Sequence, residues 1–320
     1  MLTLDPNSDN LPKRSELPSI PDAPAGALWF WGKDDELGRL NMLTPRRTAA
    51  AADLIKTGEV VSLNWPMTLP SPTLFGREPF HHEIKGKLGF ANDDVMHFNT
   101  QTSSQWDGLR HVSLTEGEKR LYYNNTTQHD IETSPRLGLQ TWADKGIVGR
   151  GVLIDYFEFT GRSYDPHQSH PISAQSIRAC AQAQGIEFRY GDILILRTGF
   201  IWKYNNLDSL GREQLAKIPG HELGTPGVEQ TEEMLDFLHD NYFSIVAADN
   251  PGFEALPQPS SLNLHLILIP LWGLGLGELF DLEKLSETCK RLGRYEFFFT
   301  SSPPNVPGGV GSYPHALAIF

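Results

Sequence analysis

The chain is 320 residues long, with 39% hydrophobic residues, 21% charged residues and a formal net charge of -12. This composition is that of a globular protein large enough to bury a substantial core, and the acidic balance excludes a nucleic-acid or anionic-membrane surface. Two cysteines exclude a disulfide framework and a cysteine-based metal cluster. No apolar stretch approaches the roughly 18 residues needed to span a bilayer, and the N-terminus lacks a signal-peptide pattern. We therefore expect a cytoplasmic protein that binds a small molecule, with neither nucleic acid nor membrane as a partner.

The first predicted elements are a helix and a strand. The segment "TPRRTAAAADLIKTG" (44–58) predicts a helix with Thr44 as its N-cap, Pro45 at its first position and Gly58 just past its end. The segment that follows, "EVVSLNWPM" (59–67), is typical of a strand because it is rich in β-branched and apolar residues.

Further along the chain, apolar segments typical of strands alternate with segments of helical periodicity. This alternation predicts one α/β domain over residues 26–320, preceded by an extended N-terminal arm over residues 1–25, which are polar and rich in proline. The predicted helices are 137–147, 172–185, 227–241 and 281–294, and the predicted strands are 149–159, 192–200, 243–250 and 295–302.

The stretch "NTQTSSQWDGLRHVSL" (99–114) resembles a hydrolytic metal site with unusual residues in it. Asp107 and His111 are four residues apart, but Gln101 and Gln105 stand where a metal hydrolase needs imidazoles. A buried polar turn has the same composition, so this stretch alone leaves the choice open. The aromatic Trp106 is more typical of a core than of a substrate surface.

A second segment, "HLILIPLWGLGLGE", places His265 and Glu278 at the two ends of an apolar, glycine-rich passage. Polar side chains that border a buried segment need partners, because an unpaired buried imidazole or carboxylate is costly. The alternatives are a core histidine bound to the backbone for His265 and a carboxylate at a helix N-terminus for Glu278.

These residues resemble the cyclase family that includes bacterial kynurenine formamidase and isatin hydrolase. The family motif is His-x-Gly-Thr-His-x-Asp-x-Pro-x-His, and "QTSSQWDGLRH" is similar to it with Gln101 and Gln105 on the first two histidines. Asp107 and His111 match the motif, and the later His and Glu of the family look like His265 and Glu278. Ser103 and Ser104 stand on the Gly-Thr pair, and Leu109 on the proline. Further similar blocks are "WGKDDELGRLNMLTPRR", "GIVGRGVLIDY", "GDILILRTGF", "VAADNPGFE" and "GGVGSYPHALAIF".

The resemblance implies a swivelling β/β/α-type α/β fold in a homodimer or homotetramer. It also implies hydrolysis of small amides or cyclic imides by water that a divalent ion activates. Carried over to this chain, Asp107, His265 and Glu278 are the ligands if a metal is retained, and His111 is the general acid/base. The loss of two imidazoles argues against tightly bound zinc, whereas carboxylates suit manganese or magnesium.

Three functions remain open. In the favoured one no cofactor is present: His111, oriented by Asp107 or Glu278, moves a proton while Gln101 and Gln105 polarise a substrate carbonyl. Such a site suits ring closure, isomerisation or lactone opening, with His265 as a further catalytic residue. The alternative is a divalent-metal-dependent hydrolase of an amide, cyclic imide or lactone. The third is a non-catalytic small-molecule binding protein, against which the intact polar groups argue.

Four further residues of the motif region are expected to bind substrate. Arg110 is able to clamp a substrate carboxylate through two hydrogen bonds, although a structural ion pair would use the same chemistry. No Gly-x-Ser-x-Gly motif surrounds the serines, so they are not expected to be nucleophiles. The residues are Ser103, Ser104, Trp106 and Arg110.

Overall fold

The computed structural model describes residues 2–86, 89–117, 119–257 and 262–320. Its strands, in chain order, are β1 (Val60–Ser62), β2 (His81–Gly86), β3 (Asn92–His97), β4 (Gln105–Asp107), β5 (Leu114–Glu116), β6 (Lys119–Tyr122), β7 (Thr126–Thr127), β8 (Ile147–Asp155), β9 (His170–Ile172), β10 (Ile193–Arg197), β11 (Pro226–Val228), β12 (Ile245–Ala248), β13 (Leu276–Glu278), β14 (Glu296–Ser301), β15 (Gly311–Ser312) and β16 (Leu317–Ile319).

The helices of the structure alternate with these strands through most of the chain. The α-helices are α1 (Pro45–Ala52), α2 (Gln128–Thr133), α3 (Leu139–Lys145), α4 (Tyr156–Phe159), α5 (Ala174–Ala183), α6 (Phe200–Asn205), α7 (Ser209–Ala216), α8 (Glu232–Asp240), α9 (Leu264–Leu268) and α10 (Glu283–Leu292). Short 3-10 helices cover Arg14–Glu16, Gly38–Met42, Leu74–Gly76 and Tyr123–Asn125. None of the described helices is long and apolar enough to cross a membrane.

One large mixed sheet organises the described residues, with the strand order β1-β16-β14-β8-β10-β12-β13-β4-β15. Its central strands β8, β10, β12 and β13 run parallel, and the strands on both sides pair antiparallel. Every residue of β10 and β12 is buried, as expected of central parallel strands covered on both faces. In such sheets the carboxyl ends of parallel strands commonly carry the functional groups, and here that edge lies at the ends of β12 and β13.

The predicted alternation of strands and helices is confirmed, but several predicted boundaries are wrong. The helix predicted over 227–241 begins at Glu232, because residues 226–228 form β11. Thr44 caps α1 as predicted. The helix ends at Ala52, earlier than predicted, because the backbone hydrogen bonds that follow span three residues, as in a 3-10 turn, instead of four. The predicted strand 149–159 ends at Asp155, whose carboxylate accepts a hydrogen bond from the Glu158 N–H and starts α4. The predicted strand 59–67 is limited to β1.

The N-terminal arm is mostly extended and lies against the domain. Leu11 is buried, and the carbonyl of Pro12 accepts a hydrogen bond of 2.6 Å from the Tyr242 hydroxyl. Arg14 donates to Asp236 and Glu232 on α8. These contacts agree with an extended segment, while the division of the chain at residue 25 stays a prediction.

A buried ion-pair cluster joins the carboxyl ends of β8 and β10. Arg197 lies 2.8 Å from Asp155, and both side chains are 2% exposed. The same guanidinium donates two hydrogen bonds of 2.8 Å to Glu283 at the start of α10. The cluster thereby fixes the ends of β8 and β10 and the start of α10 relative to one another. This edge of the sheet is the one that carries the functional groups.

We expect Arg197→Met to lower the free energy of unfolding by about 3–5 kcal/mol, because it leaves buried carboxylates without their counter-ion. Denaturant titration of the purified variant measures this change. The matched control is Arg291→Met, since Arg291 is 55% exposed in its pair with Glu59, and an exposed pair contributes about 0–1 kcal/mol. Equal losses in the two variants would contradict the prediction.

Candidate active site

The pairing of β4 with β13 brings the two predicted segments together. Gln105 lies directly opposite Glu278, and Asp107 lies opposite Leu276. Because side chains alternate along a strand, Gln105 and Asp107 share one face of the sheet and Trp106 takes the other. The Gln105 side-chain amide donates a hydrogen bond of 2.6 Å to Glu278 Oε2. Both segments therefore present polar side chains to the same place.

His265 reaches this place from α9, where it is held by a buried carboxylate. Its Nδ1 lies 2.8 Å and 3.0 Å from the two carboxylate oxygens of Glu254. Its Nε2 consequently faces the β4 and β13 side chains, 3.4 Å from Asp107 Oδ2 and 3.7 Å from Glu278 Oε1. A carboxylate behind an imidazole fixes the ring orientation and the nitrogen that carries the proton.

Asp107 lies between two imidazoles. Its Oδ2 is 3.9 Å from Nε2 of His111, in addition to the contact with His265. The Asp107 side chain is 0% exposed, whereas that of His111 is 22% exposed, so His111 is the imidazole with the better access to solvent. Neither carboxylate oxygen of Asp107 has a hydrogen-bond partner among the described residues.

The two glutamines form a hydrogen-bonded pair. Gln105 Nε2 donates to Gln101 Oε1 at 2.9 Å as well as to Glu278, so both of its amide hydrogens bond within the protein. Gln101 Nε2 has no partner among the described residues. It lies against Gly311, where a Cβ would come within 2.3 Å of it, so glycine is the residue that leaves room for this amide.

Burial and charge separate the pKa values of the four ionisable groups. Burial raises the pKa of Asp107, but the charges of His111 and His265 outweigh it and bring the value to about 2. Burial, together with the negative charge of Asp107, raises the pKa of Glu278 to about 8. Burial lowers the pKa of His111. For His265 burial acts in the same direction, but Glu254 and Asp107 prevail and raise its pKa well above the usual range.

These shifts leave an ionised Asp107, a protonated Glu278, a protonated His265 and a neutral His111 near pH 7. An acid and a base with displaced pKa values beside one another are the elements of acid/base catalysis. The arrangement is able to accept a proton at His111 and to donate one from Glu278 or His265.

The predicted substrate-binding residues lie outside this group. Trp106 is fully buried on the opposite face, where it packs on Phe280 and donates a hydrogen bond to Ser301. Arg110 is 6% exposed and donates to the main-chain carbonyls of residues 131 and 134, so its guanidinium is used in the fold. The hydroxyls of Ser103 and Ser104 donate to main-chain carbonyls of residues 66 and 279. Packing and backbone contacts thus account for all four side chains.

Two residues of the site were not predicted. Glu254 ends the block "VAADNPGFE", which carries the family resemblance but has no periodicity that distinguishes this acid from others. Arg77 donates to the main-chain carbonyl of Gln101, and its positive charge lowers the pKa values of both His111 and Glu278. Nothing in the sequence around Arg77 indicates this position.

The family resemblance implies a divalent cation, and the residues present fit one. Asp107, His111 and His265 offer ligand atoms that all lie within 4.8 Å of one another. Ligand atoms bound at about 2.1 Å to one ion are about 3–3.5 Å apart, near the separations of 3.4 Å and 3.9 Å found around Asp107 Oδ2. This set differs from the predicted one, since it contains His111 in place of Glu278, whose Oε2 accepts a hydrogen bond from the Gln105 amide.

Fold and site together define an α/β protein with a carboxylate–imidazole centre at the carboxyl edge of its sheet. Sequence comparison matches residues 42–255 to the family described as "Putative cyclase". A solved structure described as a novel cyclase is 30% identical, with a TM-score of 0.80 over 91% of this chain and 98% of that chain. The chain belongs to the cyclase family, and the predicted family and fold are confirmed.

More distant solved structures share the fold. Isatin hydrolase A from Ralstonia solanacearum is 16% identical, with a TM-score of 0.58 over 81% of this chain and 91% of that chain. Isatin hydrolase A from Labrenzia aggregata, bound to benzyl benzoate, is 13% identical, with a TM-score of 0.55 over 85% and 96%. The comparison with curated proteins found no match.

The raised pKa of Glu278 predicts a pH-dependent loss of stability. Between its ordinary value of 4.5 and about 8 the folded chain holds a proton that the unfolded chain releases. Stability therefore falls as pH rises through this window, by up to about 1.4 kcal/mol per pH unit for one proton. We expect Glu278→Gln to flatten the dependence, as measured by denaturant unfolding from pH 5 to 8.5. Glu233→Gln, at an exposed position of α8, is the control and should follow the wild type; a Glu278→Gln curve parallel to the wild type would contradict the prediction.

Proposed function

We propose that the chain is an enzyme that acts on a small carbonyl compound by acid/base catalysis centred on His111 and does not require a metal. Ring closure, isomerisation and lactone opening need a polarised carbonyl and the movement of one proton, which such a site supplies. The observation that carries the proposal is the position of Asp107 Oδ2, 3.9 Å from His111 Nε2 and 3.4 Å from His265 Nε2. A buried carboxylate at these distances stabilises, through its charge, the imidazolium that forms.

His111 is the base in this proposal. Its lowered pKa keeps the ring neutral near pH 7, and its partial exposure gives a reactant access to Nε2. In lactone opening, Nε2 accepts a proton from water as the water oxygen bonds to the carbonyl carbon. The ring C–O bond then breaks, and the imidazolium returns the proton to the leaving oxygen. The products are a hydroxyl and a carboxyl group, with His111 restored.

The other side chains set the charge of the site. Glu254 holds His265 in its protonated form, and the His265 charge keeps Asp107 ionised beside the base. The protonated carboxyl of Glu278 supplies an O–H donor for an oxygen that gains negative charge. Gln105 already bonds within the protein through both amide hydrogens, so we assign polarisation of the carbonyl to Gln101 rather than to both glutamines.

A second candidate function is a divalent-metal-dependent hydrolase of an amide, cyclic imide or lactone, similar to kynurenine formamidase. The specific observation in its favour is that both oxygens of buried Asp107 have no hydrogen-bond partner among the described residues. Asp107, His111 and His265 would hold the ion, which would polarise a carbonyl and lower the pKa of bound water. Glu254 then has the role of the carboxylate that orients a ligating imidazole.

Loss of the imidazole at position 111 should abolish most of the activity. We expect His111→Ala to lower kcat by about 10²- to 10⁴-fold, the usual contribution of a general base. Dihydrocoumarin, a lactone, and isatin, the cyclic amide named in the distant relatives, are suitable probes. The control is His221→Ala, because the side chain of His221 is 82% exposed and takes no part in the candidate site. Unchanged kcat in His111→Ala would contradict the role of His111.

Metal dependence separates the two candidate enzymes. The metal-free proposal predicts that wild-type turnover survives treatment with a chelator followed by dialysis, with no stoichiometric metal by elemental analysis. Turnover that is lost with a stoichiometric ion and returns with added Mn²⁺ or Zn²⁺ would overturn it in favour of the second candidate. Binding of both probes without turnover in the wild type would instead indicate a binding protein.

A further inference from the structure

A cavity of about 360 Å³ lies at the edge of the central sheet opposite the candidate active site. It is lined by Gly149 and Arg150 near the start of β8 and by Gly191 and Asp192 just before β10. Because β8 and β10 run parallel to β12 and β13, the beginnings of the first two lie far from the ends of the last two. The cavity is therefore separate from the acid/base site.

One wall of the cavity is apolar and comes from helix α1 and its flanks. Leu43, Ala50, Ala51 and Leu54 contribute this wall. A cavity of this size, with an apolar wall and a few convergent polar groups, is typical of a small-molecule site.

The opposite part of the lining carries an excess of positive charge. Arg150 is fully engaged, with two bonds to Asp192 of 3.0 Å and 2.8 Å and one of 2.7 Å to Glu296. The remaining cations are Arg46, Arg47 and Arg189. Among the described residues, Arg189 forms no ion pair within 4 Å, and Asp9 is the acid that pairs with Arg46 and Arg47 within that distance. Asp192, which lines the same cavity, already pairs with Arg150.

Arg47 is held in place by the fold. Its side chain is 12% exposed, and its Nε is buried without a partner among the described residues. Gly191 has φ +88°, and a Cβ there would lie 2.8 Å from Arg47 Cδ, so the chain leaves room for this side chain only with glycine at position 191. The guanidinium is thus positioned before any ligand arrives.

Asp9 of the N-terminal arm is the counter-ion of Arg46 and Arg47. Its carboxylate accepts bonds of 2.7 Å and 3.0 Å from Arg46 and lies 3.4 Å from Arg47. The Asp9 side chain is nevertheless 70% exposed, and exposed ion pairs are worth little. A carboxylate that also contacts the apolar wall would compete with it effectively.

We propose that this cavity binds a small carboxylate with an apolar body, which pairs with Arg46 and Arg47 in place of Asp9. The ligand buries its apolar part against α1, whereas the Asp9 side chain has no apolar part to bury there. Binding exchanges one carboxylate for another, whereas the main-chain carbonyls of Asn7 and Ser8 keep the hydrogen bonds that Arg46 and Arg47 donate to them.

Calorimetric titration of the full-length protein with benzoate tests the proposal. We expect Asp9→Asn to bind benzoate about two- to fivefold more tightly than the wild type, because an exposed competing ion pair is removed. Arg47→Met, which keeps the length of the side chain, should bind it at least about tenfold more weakly. Benzyl alcohol, which has the same apolar body without the charge, should bind no variant measurably.

The two variants move affinity in opposite directions, and a merely misfolded protein cannot gain affinity. Arg120→Met, at an exposed position of β6, is the control and should match the wild type. Equal benzoate affinity in the wild type, Asp9→Asn and Arg47→Met would overturn the proposal, as would no benzoate binding in the millimolar range. Tighter binding of inorganic phosphate than of benzoate would overturn the assignment of a ligand with an apolar body.

Discussion

The register between β4 and β13 is the constraint on which the rest of the site depends. It joins Gln105 to Glu278 across 173 positions of the chain. A slip of one residue would turn Asp107 away from the imidazoles and bring the indole of Trp106 into the site. The indole prevents this, because it packs on Phe280 and Phe299 and bonds to a hydroxyl on the other face. Packing in the core thus determines which polar side chains meet.

The site concentrates more negative charge than its imidazoles can balance. Asp107, Glu254 and Glu278 all lie within 4 Å of the nitrogens of His265. Like charges at this distance in a buried place cannot all stay ionised, so the site must take up positive charge. Protons on Glu278 and His265 provide it, and so would a divalent cation. Protons and a cation therefore compete for the same charge deficit, and the balance between them depends on pH.

Long apolar periodic segments made the sheet and its helices predictable, as 172–185 and 192–200 show. The meeting of the two polar segments was predictable as well, because buried polar groups need partners. The direction in which side chains point within short elements was not predictable from the sequence. β4 has only three residues, too few for an alternation that would assign Trp106 to the core. Glu254 lies outside the long elements, in an isolated bridge to Val228, where spacing carries no information about which side chain an acid contacts. Its contact with His265 became evident only from the fold.

The exchange of two imidazoles for two amides changes what the site can offer to an ion. An imidazole presents a lone pair, whereas Gln105 turns its N–H groups toward Gln101 and Glu278 and forms a hydrogen-bonded row. Among the described His, Cys, Asp and Glu residues, the ligand atoms that converge are those of Asp107, His265 and His111. The Gln105 side-chain oxygen is buried and has no hydrogen-bond partner among the described residues. A His111 Nε2 that gives its lone pair to a cation has none left to accept a proton. Metal binding through this set and base catalysis by His111 are therefore mutually exclusive uses of one nitrogen atom.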